Sequence, residues 1–435
     1  MGTLVLLQNI QERKATVGVV GLGYVGLPLA VAAANAGFSV IGFDVSETKT
    51  QQLAAGDSYV LDITNDELGA ALATGRFVPT TDPDAVAAAD VIVICVPTPL
   101  RDDLPDMTYI EAAGNMVAKG LKPGSLVILE STTYPGTTEE LLKGILESSG
   151  LKCGPDFSLG FSPERIDPGN ARFKLENVPK VVGGIDADAT SLMKAFYATF
   201  VDTVVTVSSP KTAEMAKLLE NTYRHVNIAL VNEIAILCHD LGIDVWEVIK
   251  AASTKPFGYQ PFYPGPGWGG HCIPVDPAYL SWRVRQLGET AHFIDLAREI
   301  NNRMPVYVVQ RVADALNDEG KSLKGSSVLV LGVAYKPDVG DLRESPALEI
   351  IARLRKSGAN VSFHDPYVES LRLEAENNTV LTGVPLDDQR LGDADIVVVV
   401  TNHSSYAWEV VARHASLILD TRNALDGVEG RVIRL

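Results

Sequence analysis

The chain is 435 residues long, 46% hydrophobic and 21% charged, with 37 basic against 54 acidic residues and a formal net charge of −17. That length suits two or three packed domains. The charge argues against nucleic acid or an anionic membrane as the main partner, although a few local cations can still serve an anionic small molecule. No apolar run reaches membrane-spanning length, and the stretch 4–7 has no basic region before it and no small-residue cleavage site after it, so the cytoplasm is the expected location. The four cysteines (Cys95, Cys153, Cys238, Cys272) lack the paired spacing of a zinc site or a disulfide framework, and no metal is expected.

In chain order, residues from about Ala15 to Val207 come first. Short β-branched runs at Thr16–Val20, Ser39–Phe43, 91–96, Leu126–Leu129 and 204–207 alternate with Ala-rich amphipathic stretches, the rhythm of βαβ units on a parallel sheet. From Pro210 to about Asp318 the pattern is almost wholly helical, broken only by Pro, Gly and aromatics between Pro256 and Pro277. From Ser326 the βαβ rhythm returns, with strands expected at Ser327–Leu331, Asn360–His364, 395–401 and 416–420. The expected class is α/β: two Rossmann-like, doubly wound parallel-sheet domains joined by a central helical region with a long helix. The divisions fall at 1–209, 210–318 and 319–435.

The run Thr16–Val20 leads straight into Gly21-Leu-Gly23-Tyr-Val-Gly26 and then an Ala-rich helical stretch, 27–36. Gly21 permits the tight turn, Gly23 lets the backbone approach a pyrophosphate, and Gly26 lets helix and strand pack closely. The helix start then offers free N–H groups to the phosphates. A second strand ends in Asp44, 18 residues beyond Gly26, where a carboxylate accepts from an adenosine ribose and repels a 2′-phosphate. NAD is therefore expected rather than NADP. Two further strand ends, at Pro97-Thr98-Pro99 and Ser131-Thr132-Thr133, fall where ligands lie in an open parallel sheet. Their hydroxyls could hold the nicotinamide ribose or a water, while Thr137 and Thr138 read better as caps of the following helix.

The segment Pro264-Gly-Pro-Gly-Trp-Gly-Gly-His-Cys272-Ile-Pro-Val-Asp276 is the most informative in the chain. Cys95 and Cys238 read as buried small hydrophobes in a strand and a helix. Cys272 follows four glycines in eight residues, which permit tight turns around a ligand, and such a thiol becomes a nucleophile if nearby positive charge lowers its pKa. His271 could act as a base or simply fill space. The helix expected at 212–238 is mostly apolar yet carries Lys217, Asn221, Arg224 or His225, and Asn232 at three- and four-residue steps. Lys217 and Asn221 share a face, which fits either a ligand-facing pair or a solvated stripe. Ser162-Pro-Glu164-Arg165-Ile-Asp167 adds a carboxylate at another strand end, and alone it reads as a charged surface turn.

Together these segments resemble the UDP-glucose/GDP-mannose dehydrogenase family over nearly the whole chain. Within it they are most similar to the bacterial enzymes acting on UDP-N-acetylglucosamine or UDP-N-acetylmannosamine. The subgroup likeness rests on Phe161-Ser-Pro-Glu-Arg-Ile-Asp-Pro-Gly-Asn170 and on Pro261-Phe-Tyr-Pro-Gly-Pro-Gly-Trp-Gly-Gly-His-Cys-Ile-Pro-Val-Asp276. The resemblance implies a four-electron oxidation of a sugar 6-hydroxyl to the uronic acid with two NADH per turnover, through a thiohemiacetal and thioester on Cys272. Lys217 and Asn221 would stabilise oxyanions, Glu164 would be the base for thioester hydrolysis, and Asp276 and Thr132 would tune the thiol and place water. It also implies that Gly21, Gly23, Tyr24, Val25, Gly26, Asp44, Pro97, Thr98, Ser131 and Thr132 hold NAD. Glu164, Arg165, Lys217, Asn221, Tyr263, Gly269, Lys336 and Arg343 would meet the nucleotide sugar, the last two from Gly332-Val-Ala-Tyr-Lys336 and Asp341-Leu-Arg343-Glu-Ser345-Pro346. A homodimer through the long helix is implied as well. The glucose-specific members carry a second glutamate where this chain has Pro168, and a lysine where it has Val275; the N-acetyl-sugar subgroup shares both changes. UDP-N-acetylglucosamine is the first expectation, ahead of UDP-N-acetylmannosamine, UDP-glucose and dTDP-glucose. A two-electron hydroxyacid dehydrogenase related to 6-phosphogluconate dehydrogenase needs neither Cys272 nor the block 326–435. A non-catalytic sensor needs none of Cys272, Lys217, Asn221 and Glu164.

Overall fold

The computed structural model describes residues 2–435 except Leu61, Asp103, Pro168, Gly169, Ala171, His271 and Cys272, and the side chain of Ala375. The chain forms two compact units, Met1–Glu220 with Ala278–Glu289, and Asn221–Pro277 with Thr290–Leu435.

The first unit is built on an eight-stranded sheet. Its strands are β1 (Thr16–Val20), β2 (Ser39–Phe43), β3 (Phe77–Thr80), β4 (Val91–Ile94), β5 (Leu126–Leu129), β6 (Ser158–Phe161), β7 (Lys180–Gly184) and β8 (Val204–Thr206), in the order β8-β7-β6-β5-β4-β1-β2-β3. All neighbours are parallel except β6 and β7. The central strands are apolar on both faces because both faces are covered. Along β5, Leu126 and Ile128 enter one core while Val127 and Leu129 enter another, the two-residue alternation of a strand.

The second unit carries β9 (Ser327–Leu331), β10 (Asn360–His364), β11 (Ile396–Val399), β12 (Ile418–Asp420) and β13 (Val432–Arg434), all parallel in the order β10-β9-β11-β12-β13. A long helix, His292–Asp318, lays Met304, Val308, Val312 and Leu316 on Val328, Val330, Ile350 and Ile351. Four-residue spacing puts those side chains on one helix face. Among the described residues no helix is long and apolar enough to cross a membrane.

Both sheets begin with the same device. Gly21 (φ +92°) and Gly332 (φ +76°) follow β1 and β9, and their N–H groups donate to the Phe43 and His364 carbonyls at 2.8 and 2.9 Å. The residue after each glycine donates to the carboxylate ending the next strand, Leu22 to Asp44 and Val333 to Asp365. Asp90 and Asp395, just before β4 and β11, accept the N–H of Thr16 and Ser327 at 2.9 and 2.8 Å.

The runs expected at 91–96 and 395–401 are shorter as strands. Cys95 and Val96 leave the sheet toward the strand-end loop, and Asp395 is a side-chain cap. The strand β3 escapes the hydrophobic pattern because Pro79 interrupts it; a proline is tolerated because β3 is an edge. Thr137 and Thr138 do not cap the next helix. The N-cap is Gly136, the hydroxyl of Thr137 donates to the Tyr134 carbonyl, and that of Thr138 donates to Glu214.

A methyl group on Gly332 would lie 2.2 Å from the Thr401 carbonyl oxygen, on a backbone that disfavours side chains. Gly332→Ala should lower unfolding free energy by about 2–4 kcal/mol. Urea titration checks this, and an unchanged midpoint and slope would refute the constraint.

Candidate active site

The dinucleotide motif folds as a cradle in the first unit. The helix that follows it, Gly26–Asn35, starts so close to the turn that a β-carbon on Gly26 would lie 1.8 Å from the Gly21 carbonyl oxygen. One on Gly23 meets nothing within 4 Å, so the loop presents bare backbone at that point. The helix N-cap, Val25, gives no side-chain hydrogen bond to the first turn, where Leu27 N–H donates to the Gly23 carbonyl at 3.1 Å and Pro28 has no N–H. Tyr24 is partly exposed beside it. Asp44 is buried, accepts from Leu22 and Ser46 N–H at 3.2 and 3.0 Å, and has the Lys49 ammonium at 3.9 Å. Beyond β4 and β5, Thr98 and Ser131 are buried, and the Ser131 hydroxyl donates to the Val96 carbonyl at 2.8 Å, tying the two strand ends together beside Pro97. Thr132 is half-buried. The backbone opening at Gly23 and the carboxylate at Asp44 fit a dinucleotide.

Behind those strand ends lies a buried ionic cluster. Glu164 Oε1 accepts the N–H groups of Arg165 and Ile166 at 2.6 and 2.7 Å, and Oε2 accepts from Lys180 Nζ at 3.0 Å. Lys180 also donates to Glu130 at 3.1 Å, and Glu130 accepts from the Tyr197 hydroxyl. Burial pushes the Glu164 carboxyl up, but the Lys180 ammonium, the Ile166 N–H and Lys217 outweigh it and hold it below the usual range. Burial dominates at Glu130 and pushes its pKa up. Burial opposes the charge of Lys180, yet the two carboxylates outweigh it and raise its pKa. Arg165 is turned away from Glu164, pairing with Glu220 at 2.8 Å and donating to the Pro179 carbonyl at 2.6 Å.

The long helix Pro210–Asp240 resolves the ambiguity of its polar stripe. Lys217, Asn221, His225 and Asn232 are all buried, so the stripe is not a solvated face. Lys217 and Asn221 stand about one turn apart. Asn221 donates to Asp276, at the start of the helix Asp276–Gln286, and accepts from Arg224. His225 meets the Ile273 and Ile294 carbonyls, and Asn232 accepts the Gly265 N–H at 2.9 Å. One turn before Lys217, Glu214 accepts from Gly136 N–H, Thr138 N–H and the Thr138 hydroxyl at 2.6, 3.0 and 2.7 Å, anchoring the Ser131–Thr138 stretch.

His271 and Cys272 lie outside the described residues. The glycines before them make room for protein. A β-carbon on Gly269 or Gly270 would lie 2.7 Å from the Tyr335 side chain, and one on Gly265 2.6 Å from Arg422. The loop thus packs onto the strand-end loops of the second sheet, with Gly270 N–H donating to the Arg343 carbonyl. The Arg343 side chain is exposed and forks onto Asp341, and the Lys336 ammonium lies 5.7 Å from the Tyr335 ring centre. Tyr263 stacks on Trp246 at the wall of a cavity of about 350 Å³, completed by Pro264, Asn402, Arg422 and Asn423. Burial pushes the Arg422 pKa down to about 10 against the pull of Asp420. Trp246 Nε1 and Asn423 Oδ1 are buried polar atoms with no hydrogen-bond partner among the described residues. Cation, donor, acceptor and aromatic faces together suit a nucleotide.

Sequence reasoning missed Glu130, Lys180, Glu214, Trp246, Arg422 and Asn423. Glu130 and Asn423 each follow a β-branched or apolar run, and that position is the signal that could have found them. Lys180 and Trp246 open regular elements and look ordinary in sequence. Among the described residues no group of three or more His, Cys, Asp or Glu could hold a metal ion.

Three family descriptions match successive parts of the chain: the NAD binding domain of the UDP-glucose/GDP-mannose dehydrogenase family at 15–201, its central domain at 211–303 and its UDP binding domain at 329–427. The chain is similar to the UDP-N-acetyl-D-mannosamine dehydrogenase of Pyrococcus horikoshii, with 36% identity over 416 residues, 94% of this chain and 96% of that one. The Campylobacter jejuni protein of the same name is 37% identical over 399 residues, 89% and 95% of the two chains. The solved structure of UDP-D-ManNAc dehydrogenase from Pyrococcus horikoshii matches with a TM-score of 0.87 and 35% identity, over 96% of this chain and 99% of that one.

Glu214→Ala removes the acceptor of two buried N–H groups, which should cost about 1–3 kcal/mol. Hydrogen exchange at the Gly136 and Thr138 amides should accelerate more than exchange across β5, and uniform acceleration would show that Glu214 is no local anchor.

Proposed function

Because the chain belongs to the UDP-glucose/GDP-mannose dehydrogenase family, NAD-dependent enzymes of nucleotide sugars, we propose that it oxidises the 6-hydroxyl of an N-acetylated UDP-hexosamine to the carboxylate. One alcohol, one water and two NAD give one uronate, two NADH and three protons. The observation that carries this reading is the buried pair Lys217 and Asn221, a cation and an amide one turn apart on a helix that is otherwise largely apolar.

NAD, when bound, accepts the hydride of each oxidation, and Gly21, Gly23, Gly26 and Asp44 are the residues to hold it. In the proposed sequence Lys217 and Asn221 donate to the substrate oxygen as negative charge develops on it, where preorganised donors act most strongly. The Cys272 thiolate adds to the aldehyde carbon, because an aldehyde cannot readily surrender hydride until a nucleophile has added. The second oxidation leaves a thioester. Glu164 takes a proton from water, the resulting hydroxide adds to the thioester carbon, and the sulfur departs as thiolate. Asp276, bonded to Asn221, fixes the amide that faces the oxyanion. The cavity between Tyr263 and Arg422 would take the nucleotide, its ring against the aromatic pair and its charge on the guanidinium.

UDP-N-acetyl-D-mannosamine is the sugar the names of the similar proteins favour, and it replaces UDP-N-acetylglucosamine as the first compound to assay. The long helix also leaves Tyr223, Leu230 and Leu237 exposed at seven-residue intervals, with Leu219 and Leu241 flanking them. That spacing makes one apolar stripe, which supports pairing of two copies through this helix.

A panel of UDP-sugars followed by NADH absorbance should give two NADH per sugar consumed; a ratio of one would favour the hydroxyacid reading and none the sensor. Cys272→Ala should stop uronate formation with NAD affinity intact. Lys217→Ala should lower kcat about 100-fold with little change in substrate affinity. Leu230→Glu with Leu237→Glu should convert dimers to monomers in sedimentation, and an unaltered mass would remove the stripe as the interface.

A further inference from the structure

We propose that Lys180 and Glu130 are positioning residues for Glu164: the buried ammonium bridging two carboxylates keeps Glu164 ionised and leaves Oε2 as its one basic atom. This rests on the reading of Glu164 as the hydrolysis base and names the parts that make it one. A carboxylate offers four lone-pair positions. Arg165 and Ile166 N–H groups take both on Oε1, and Lys180 takes one on Oε2. Among the described residues a single acceptor position therefore stays open for a water.

The bridge is built for direction rather than for binding solvent. Lys180 is 3% exposed and Glu130 1%, and Tyr197, fully buried, closes the far end by donating to Glu130. The charged and titratable groups that face Glu164 come from several elements: Lys180 on β7, Glu130 after β5, Cys95 after β4, and Lys217 on the long helix, with Tyr197 of the helix Ala187–Tyr197 standing behind Glu130. The neighbouring Arg165 and Glu220 satisfy each other. Without the bridge, Glu164 would be a carboxyl in a dry site with two N–H donors, and burial would favour its protonated form. Glu130 makes the arrangement tunable, since it competes with Glu164 for the same ammonium. Removing Lys180 and removing Glu130 therefore act on Glu164 in opposite directions.

The test reads Glu164 directly. In pH-difference infrared spectra of the full chain, the protonated carboxyl band that Glu164→Gln abolishes reports its titration. Lys180→Met should move that titration up by about one pH unit or more, and Glu130→Gln should move it down. If Lys180→Met does not fold, Lys180→Met with Glu130→Gln removes one charge of each sign and should titrate above Glu130→Gln alone. A titration that stays put in these variants, with only stability reduced, overturns the proposal. The base role is read separately from turnover. Full uronate formation by Glu164→Gln would sink that role while leaving opposite infrared shifts to stand, and an arrested Glu164→Gln with no shifts would do the reverse.

Discussion

Each sheet turns on a glycine that must hold a positive φ directly after its first strand, because the next residue has to reach the carboxylate ending the second. That single contact, Leu22 to Asp44 in one sheet and Val333 to Asp365 in the other, fixes the shape of the strand-end crevice where ligands of such folds lie. What differs is what remains of the carboxylate. Asp44 accepts two N–H groups, one on each oxygen, and keeps a lone pair on each. Asp365 carries four donors, with Val333, Ala334 and His403 crowded on one oxygen and Tyr367 on the other. The same architecture therefore offers a dinucleotide site once, and the second sheet has to recognise its ligand with other groups.

In the proposed reading those groups line the cavity beside the second sheet. Arg422 follows β12, and Tyr263 and Trp246 come from the helical stretch of the second unit. Tyr263 is exposed, but a buried guanidinium with its pKa lowered and two buried polar atoms lacking partners among the described residues, on Trp246 and Asn423, are costly unless a ligand satisfies them. The cost of holding such groups dry fits a site, since a stable fold alone would gain from apolar residues there.

In the first unit the same physics runs through charge. Three ionisable side chains, Glu130, Lys180 and Glu164, are tolerated in the interior because each has at least two hydrogen-bond partners. Glu214, buried with three donors on its carboxylate, does comparable work on the backbone, tying the loop of Ser131 to the helix of Lys217. Glu164 and the Ser131 loop are thus held by partners buried behind them.

By itself the sequence determined the α/β class, most strand positions, the dinucleotide cradle and the family, because those depend on local patterns: two-residue and 3.6-residue periodicity, and glycine where no side chain fits. It also presented Lys217 and Asn221 as a pair, but helical spacing is the same for a buried stripe and a wet one. Only the tertiary structure decided that question, since burial depends on what packs against the helix. It alone joined Glu130, Lys180 and Glu164 across fifty residues, and it alone showed that Gly269 and Gly270 make room for Tyr335. The physical reason is common to all three. A hydrogen bond, an ion pair and a close approach are distances in space, and no interval along the chain encodes them.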